Sequence, residues 1–547
     1  MRHLIFFLLT PLLLTAQSPT KQQWKDDVIH LQKVVHEEYP FLFKKTTVEQ
    51  FDNQVEELMA NIDRYQEHEI KVGLARLVSS FEYGHTSLWL RPKEHGVHLM
   101  PFNLYQFEDG VFVQGVHKDY KESLGAKVVA IESKPIHQVL KAIKPVVPSE
   151  NDQFFKAHGL YYLAMPEVLH AQGVTEELKE TITLTLEKND TPFEVTFQAF
   201  DFGDNPKTYG FLLEGDIWLD ARKQEQTPLW LKDLDKIYYF EHLSAHNAVY
   251  VRHSQIRNDQ EESIEQFYGR LFDFIEEKQV DKLILDYRLN GGGNNYLNKP
   301  VLTGLLKSKV NEKGRLFVVL GRRTYSACQN LVNELDNYTE AIFVGEPTAE
   351  NINFYGDNRT VELPNSKINV RLSFAWWQDK PQWENADWLA PDLAVDLSFE
   401  DYVENQDPVL EEVWNYQGDL VLDPIGHFTN LYMAGKQDQI LPLAREMISD
   451  KRYRYVQFEN QFNRIGYRLL NNNDLQSALY VFQLNTELFP NSANAWDSLA
   501  EAHWKLGEAD KAKELYKKAL EMDPKGPVGA NAQNMLNRIN HGPISGH

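Results

Sequence analysis

The stretch Leu283-Ile284-Leu285-Asp286-Tyr287-Arg288-Leu289-Asn290-Gly291-Gly292-Gly293 decides how the chain reads. Three apolar residues in a row make a short strand buried on both faces. The three glycines let the backbone approach another group closely and turn N–H groups toward an anion. Upstream, Ala248-Val249-Tyr250-Val251 is a second strand, and Ile264, Phe267, Leu271, Phe274 and Ile275 form one face of a helix. Downstream come a further helix, the strand Leu316-Phe317-Val318-Val319-Leu320, a helix opening at Ser326, and the strand Ala341-Ile342-Phe343-Val344. This alternation predicts βαβ units around a buried parallel sheet, whose ligands bind at the carboxyl ends of the strands.

The segment Thr324-Tyr325-Ser326-Ala327 places a serine at a helix N-terminus, where free N–H groups and the helix dipole stabilise developing negative charge. Taken alone, such a serine is an N-cap and the triple glycine a flexible turn. Together, the two segments fit a single site.

Residues 20 to about 80 show helical periodicity, as in Leu31, Val34, Val35 and Tyr39, then Phe51, Val55, Leu58 and Met59. Gly84-His85-Thr86 breaks that pattern, and the alternation of Leu88 and Leu90 predicts a strand. From 99 to 200 short strands flank Leu124-Gly125, with a helix from Ile136 to Ile143, an order that resembles a PDZ-like peptide-binding module. In the tail, Phe462, Ile465, Gly466, Leu469, Ala478, Phe482 and Pro490 recur 34 residues later as Trp496, Leu499, Ala500, His503, Ala512, Tyr516 and Pro524. That period and those residue types match tetratricopeptide repeats, with a weaker copy at Phe428, Leu431, Ala444 and Ile448 and a closing helix from Ala532 to Ile539.

The chain has 547 residues, too many for one core, and a formal charge of −23, which disfavours nucleic acid and anionic membrane surfaces as partners. An apolar run from Leu4 to Leu14 ahead of Thr15-Ala16-Gln17 predicts a signal peptide at 1–16, hence an exported, periplasmic or extracellular protein with no integral membrane span after its removal. The single Cys328 rules out an internal disulfide. His242 and His246 have i, i+4 spacing but lack the H-E-x-x-H pattern, so neither a metal nor another cofactor is expected.

The segment Asp286 to Gly293, with Thr324 to Ala327, Val344-Gly345-Glu346-Pro347-Thr348 and Pro391-Asp392, is similar to the signature segments of the tricorn and C-terminal-processing (tail-specific) serine peptidases. The resemblance implies a multidomain α/β protein: a helical N-terminal domain at 17–98 ending in Gly84-His85-Thr86, a PDZ-like β module and connection at 99–200, and a crotonase-like βαβ peptidase core at 201–420. Tetratricopeptide-like helical repeats at 421–547 complete the expected organisation. It further implies Ser326 as nucleophile and an oxyanion hole of N–H groups from Ala327 and Gly292 or Gly293. Tail-specific members carry a lysine base where this chain has Thr348-Ala349-Glu350-Asn351. The tricorn-like branch uses a histidine in a glycine-histidine-threonine setting, which makes His85 the candidate base and Glu384 its candidate partner. Tricorn's serine before that histidine is Gly84 here.

The implied activity is hydrolysis of a peptide or protein substrate through an acyl-enzyme. Two other readings stay open: a catalytically inactive ligand- or peptide-binding member of the same fold, and a vestigial peptidase whose tail repeats dock a protein partner.

Overall fold

The computed structural model describes residues 18–200, 217–223, 226–381, 386–418 and 420–541. The expected signal peptide at 1–16 and Glu384 lie outside the described residues. The chain forms two compact units, the larger taking residues up to Ala341, Thr348–Leu389 and Asp396–Pro408.

The larger unit opens with helices Lys21–Glu38, Val48–Asn61 and Glu67–Ser79. The first two start on capping boxes: the Thr20 and Thr47 hydroxyls accept from the N–H groups of Gln23 and Gln50, whose side chains return the bond. Their buried faces carry Trp24, Leu31 and Val35, then Phe51, Val55 and Leu58, at helical spacing.

An antiparallel sheet follows, in the order Phe102–Phe107, Gly110–His117, Lys127–Ile131, Thr181–Lys188, Thr191–Gln198. The helix read at Ile136 to Ile143 is present with those bounds. Helices and sheet share a single continuous hydrophobic core that runs from Trp24 through Phe81 and Leu104 to Phe197 and includes Leu363, Val370 and Leu372.

Strands Ala248–His253, Lys282–Asp286 and Leu316–Leu320 form the parallel part of a second sheet, and Tyr238–Leu243 pairs antiparallel with Ala248–His253. All five residues of Leu316–Leu320 are buried, as expected of a strand covered on both faces by helices. The helix Ala327–Tyr338 leaves the loop after that strand. A long hairpin, Phe354–Glu362 with Asn369–Trp377, completes the unit.

One expected element differs. Leu88 and Leu90 are buried, each 1% exposed, but they do not form a strand; only Ser87 pairs, in an isolated bridge with Arg371. The chain turns at Arg91 into the short helix Pro92–His95, whose proline has no N–H to extend a ladder.

The smaller unit holds the parallel pair Ile342–Gly345 and Leu393–Ala394 together with the helical tail. The tail runs through Pro424–Met433, Ile440–Ser449, Phe458–Asn471, Leu475–Leu488, Ala493–Lys505, Ala509–Met522 and Pro527–His541. Repeat-equivalent positions stack directly: Tyr467 donates to Glu501 at 3.2 Å and Asn531 to Asp497 at 2.9 Å, each pair 34 residues apart. Ala478, Ala500, Ala512 and Ala532 are fully buried where helices cross, since only a small residue allows that approach. No helix among the described residues is long and apolar enough to cross a membrane.

Candidate active site

The glycine turn is built by the residues before it. Arg288 donates through both guanidinium N–H groups to Asp407, at 3.1 and 2.9 Å, and through Nε to Asp286 at 3.1 Å. This fork fixes the chain as it leaves the strand Lys282–Asp286. Asn290, fully buried, then joins two loops: its amide donates to the His253 carbonyl at 2.9 Å, its side-chain oxygen accepts from Gly292 N–H at 2.9 Å, and its backbone carbonyl accepts from Tyr325 N–H at 3.1 Å.

Gly292 has φ +89°, and a Cβ built on it would stand 2.5 Å from Ser326 Cβ and 2.8 Å from Ala327 N. Glycine is therefore what allows this turn to press against the serine. Gly293 lies against Ile256 in the same way, its carbonyl neighbour Asn294 donating back to Ile256 at 2.7 Å.

Thr324 sets the other side. Its buried hydroxyl donates to the Tyr287 carbonyl at 3.0 Å, and its own carbonyl accepts from Ala349 N–H at 3.0 Å, so the loop is tied both to the sheet and to the 348–351 segment. Ser326 follows with φ 58° and ψ −129°, a conformation L-residues rarely hold and one that costs about 1–3 kcal/mol. Its side chain does not cap the helix Ala327–Tyr338. The local strain, the absent cap bond and the close glycine together set Ser326 apart from an ordinary N-cap serine.

Glu350 meets both expected catalytic residues. One of its carboxyl oxygens accepts the Ser326 backbone N–H. The other faces His85 Nε2 at 3.7 Å, beyond hydrogen-bond range. His85 Nε2 and Glu350 Oε1 are both buried without a hydrogen-bond partner among the described residues. His85 Nδ1 lies 3.2 Å from the Tyr325 hydroxyl, and the two rings meet edge to face at 4.8 Å between centroids. Ser326 and His85 share no hydrogen bond among the described residues; both meet the Glu350 carboxyl group.

Burial, with a smaller contribution from Arg371, lowers the His85 pKa to about 4, so the imidazole is neutral at neutral pH. Burial, reinforced by Glu150, pushes the Glu350 carboxyl well above its ordinary range. Glu150 itself is pushed up to about 7 by burial against the opposing pull of Lys45, and it accepts from the backbone N–H groups of Gly84 at 2.9 Å and Asn351 at 3.1 Å.

A lysine does reach the position next to Asn351, but it comes from residue 45. Its amine donates to Asn351 Oδ1 at 2.6 Å and to the Glu82 carbonyl at 2.8 Å, so it is committed to holding loops together. A Cβ on Gly84 would collide with the Tyr325 hydroxyl and the Phe154 ring, which accounts for glycine where tricorn has serine.

The structure thus gathers Ser326, His85, Ala327, Gly292 and Gly293 in one unit, while Glu384 lies outside the described residues. Of the expected oxyanion donors, Gly292 N–H is bound to Asn290, whereas the N–H groups of Ala327 and Gly293 have no acceptor among the described residues. Glu350, Glu150 and Tyr325 were not singled out from sequence. The available signal was a carboxyl-bearing residue two positions after Thr348 in a segment otherwise free of charge. His242 and His246 lie on a strand and the turn after it, not on one helical face.

A cleft of about 930 Å³ opens beside this centre, lined by Gly84, His85, Tyr325 and Gly291 to Gly293 among others. The size suits a peptide segment.

Over 76% of its length and 98% of the other's, the chain superposes on the crystal structure of mature CPAF with a TM-score of 0.50 at 11% sequence identity. The chain has a CPAF-like fold. It is also matched to the photosystem II D1 C-terminal processing protease at 12% identity, covering 69% of this chain and 94% of that one, with a TM-score of 0.33, too loose a superposition to place any element. Beyond the CPAF-like fold, residues 493–525 match the tetratricopeptide repeat family model. No curated protein matches the sequence.

Proposed function

We propose that this protein is a serine-type peptidase that cleaves peptide bonds through an acyl-enzyme on Ser326. The observation that carries the reading is the orphaned His85 Nε2: a neutral, buried imidazole nitrogen without a partner, aimed at the carboxyl group that also holds the Ser326 backbone. Leaving such an acceptor unsatisfied costs about 1–3 kcal/mol, which a purely structural histidine would avoid.

In the proposed cycle, the Nδ1–H of His85 donates to the Tyr325 hydroxyl and fixes the tautomer, leaving Nε2 free to take the Ser326 Oγ proton. That transfer requires Oγ and Nε2 to come within hydrogen-bond reach, and catalytic hydrogen bonds commonly tighten only once substrate is bound. Ser326 Oγ then attacks the substrate carbonyl, and the N–H groups of Ala327 and Gly293 hold the oxyanion. His85 passes its proton to the leaving amine, and water releases the acyl group by the same route. The finer features belong to the same proposal: a PDZ-like module in the antiparallel sheet, a crotonase-like core, export through the 1–16 segment, and a tail that docks a protein partner.

The test is a peptidase assay together with fluorophosphonate labelling. Wild type is expected to label at Ser326, and Ser326→Ala and His85→Ala to lose at least about 10³-fold in kcat/KM. Turnover unchanged in either variant overturns the assignment. The inactive, ligand-binding reading draws on the missing Ser326–His85 hydrogen bond, and it wins if the correctly folded wild type neither labels nor cleaves.

A further inference from the structure

The cleft is cationic although the protein is strongly anionic. Arg91, Lys93, Lys156, Arg323 and Arg371 line it against one carboxylate among the described lining residues, Glu94, while the whole chain carries −23. Glu94 is itself held by Arg91 at 3.3 Å. The cations come from separate elements: the short helix Pro92–His95 with its N-cap Arg91, the helix Asp152–His158, the turn before Ser326, and the strand Asn369–Trp377. A net positive lining assembled from four places on an acidic protein is a field aimed at one volume.

Two of these residues define a subsite. Arg91 and Arg371 also line an adjoining pocket of about 210 Å³, together with Ser87, Trp89, Glu94, His95, Thr360 and Asn369. Arg371 pairs through its backbone with Ser87, two residues from His85, so its position relative to the imidazole is set by main-chain hydrogen bonds of 2.9 and 3.0 Å. The pocket holds two guanidinium groups, two hydroxyls and an amide; Glu94 already neutralises Arg91, so Arg371 is the cation left to meet a carboxylate, with the hydroxyls and the amide as further donors.

We propose that this pocket selects substrates by an acidic side chain, so that the peptides taken are ones bearing glutamate or aspartate close to the scissile bond. The inference rests on the peptidase reading for the word substrate, but the selection itself is a property of binding. It also fixes a role for Arg371 as a specificity residue, one that touches the substrate away from the reacting atoms.

The experiment uses full-length protein and peptides acetylated at the N-terminus and amidated at the C-terminus, so that a scanned glutamate is the only anion. Glutamine and lysine versions serve as comparisons. Binding to Ser326→Ala is read by fluorescence anisotropy, and kcat/KM is measured on wild type. The glutamate peptide is expected to be favoured over glutamine by roughly tenfold at one or two positions at low salt, falling as ionic strength rises. Arg371→Gln should shrink that ratio to about twofold, and Arg371→Lys should retain part of it.

Equal binding of the glutamate and glutamine peptides, or a ratio untouched by the combined Arg91→Gln and Arg371→Gln changes, overturns the proposal. So does equally tight binding of peptides with uncharged side chains whose only anion is a free C-terminal carboxylate. If wild type cleaves nothing while Ser326→Ala still prefers glutamate, the peptidase reading falls and the acidic subsite stands.

Discussion

Gly292→Ala, measured beside Gly291→Ala, tests the construction of the site with neighbouring residues as each other's control. Gly292 has φ +89°, and an added Cβ would stand 2.5 Å from Ser326 Cβ, 2.7 Å from the Tyr325 carbonyl oxygen and 2.8 Å from Ala327 N. Two of those atoms are backbone and cannot rotate away, so either the glycine turn or the Ser326 loop must move by several tenths of an ångström. The left-handed backbone costs an alanine about 1–2 kcal/mol, and overpacking adds about 1–3 kcal/mol. Gly291, by contrast, has open space around an added Cβ. Displacing a nucleophile by a fraction of an ångström against its oxyanion donors is worth on the order of 10²-fold in rate. Gly292→Ala should therefore lose roughly that factor in kcat/KM and in fluorophosphonate labelling, with a thermal midpoint lowered by a few degrees. Gly291→Ala should stay within about threefold of wild type, since it meets nothing. A Gly292→Ala enzyme with wild-type labelling, or a Gly291→Ala enzyme crippled to the same degree, refutes the idea that glycine 292 is there to make room for Ser326.

Acid should destabilise the larger unit through its buried neutral histidines. His85 and His253 are lowered to about 4 and His158 to about 3, each chiefly by burial; groups with depressed pKa contribute stability above the ordinary value of 6.5 and lose it as pH falls through the folded value, roughly 3 kcal/mol for the fully buried His253. Glu150, raised to about 7, runs the other way and gains on acidification. Acid unfolding followed by circular dichroism should shift to lower pH in His253→Gln, and an unchanged midpoint would contradict the assignment. Gly84→Ser, which restores the tricorn residue, should depress activity and stability because of the Tyr325 hydroxyl, and Tyr325→Phe should recover part of the stability loss in the double variant; a neutral Gly84→Ser would show that the pocket around His85 can yield.

Much of the parallel sheet was legible because its strands are continuous apolar runs: Leu316–Leu320 came out with the bounds read, and Lys282–Asp286 within a residue or two. The tail was legible through its period, since stacking requires the same small and aromatic residues at the same offset. The stretch at Leu88 and Leu90 misled because alternation reports burial, and burial there is met without a ladder. In the site, residue types pointed to Ser326 and the glycines, but a positive φ on serine cannot be read from a letter code. Glu350 went unassigned because its significance is relational: a carboxyl at that position means little until the fold sets His85 and the Ser326 N–H on its two oxygens. The departure from the lysine pattern was visible at Asn351, whereas the arrival of Lys45 from 306 residues away was not.

His85, Glu150, the 290–293 turn, Ser326 and Glu350 are scattered over nearly half of the chain and are tied together by contacts between distant segments. A polypeptide still emerging from the ribosome presents His85 more than two hundred residues before Ser326, and a product truncated ahead of Glu350 lacks the carboxyl that meets both. Such sequence-distant contacts form late in folding. On the peptidase reading proposed above, the order of synthesis itself keeps an unfinished site from acting.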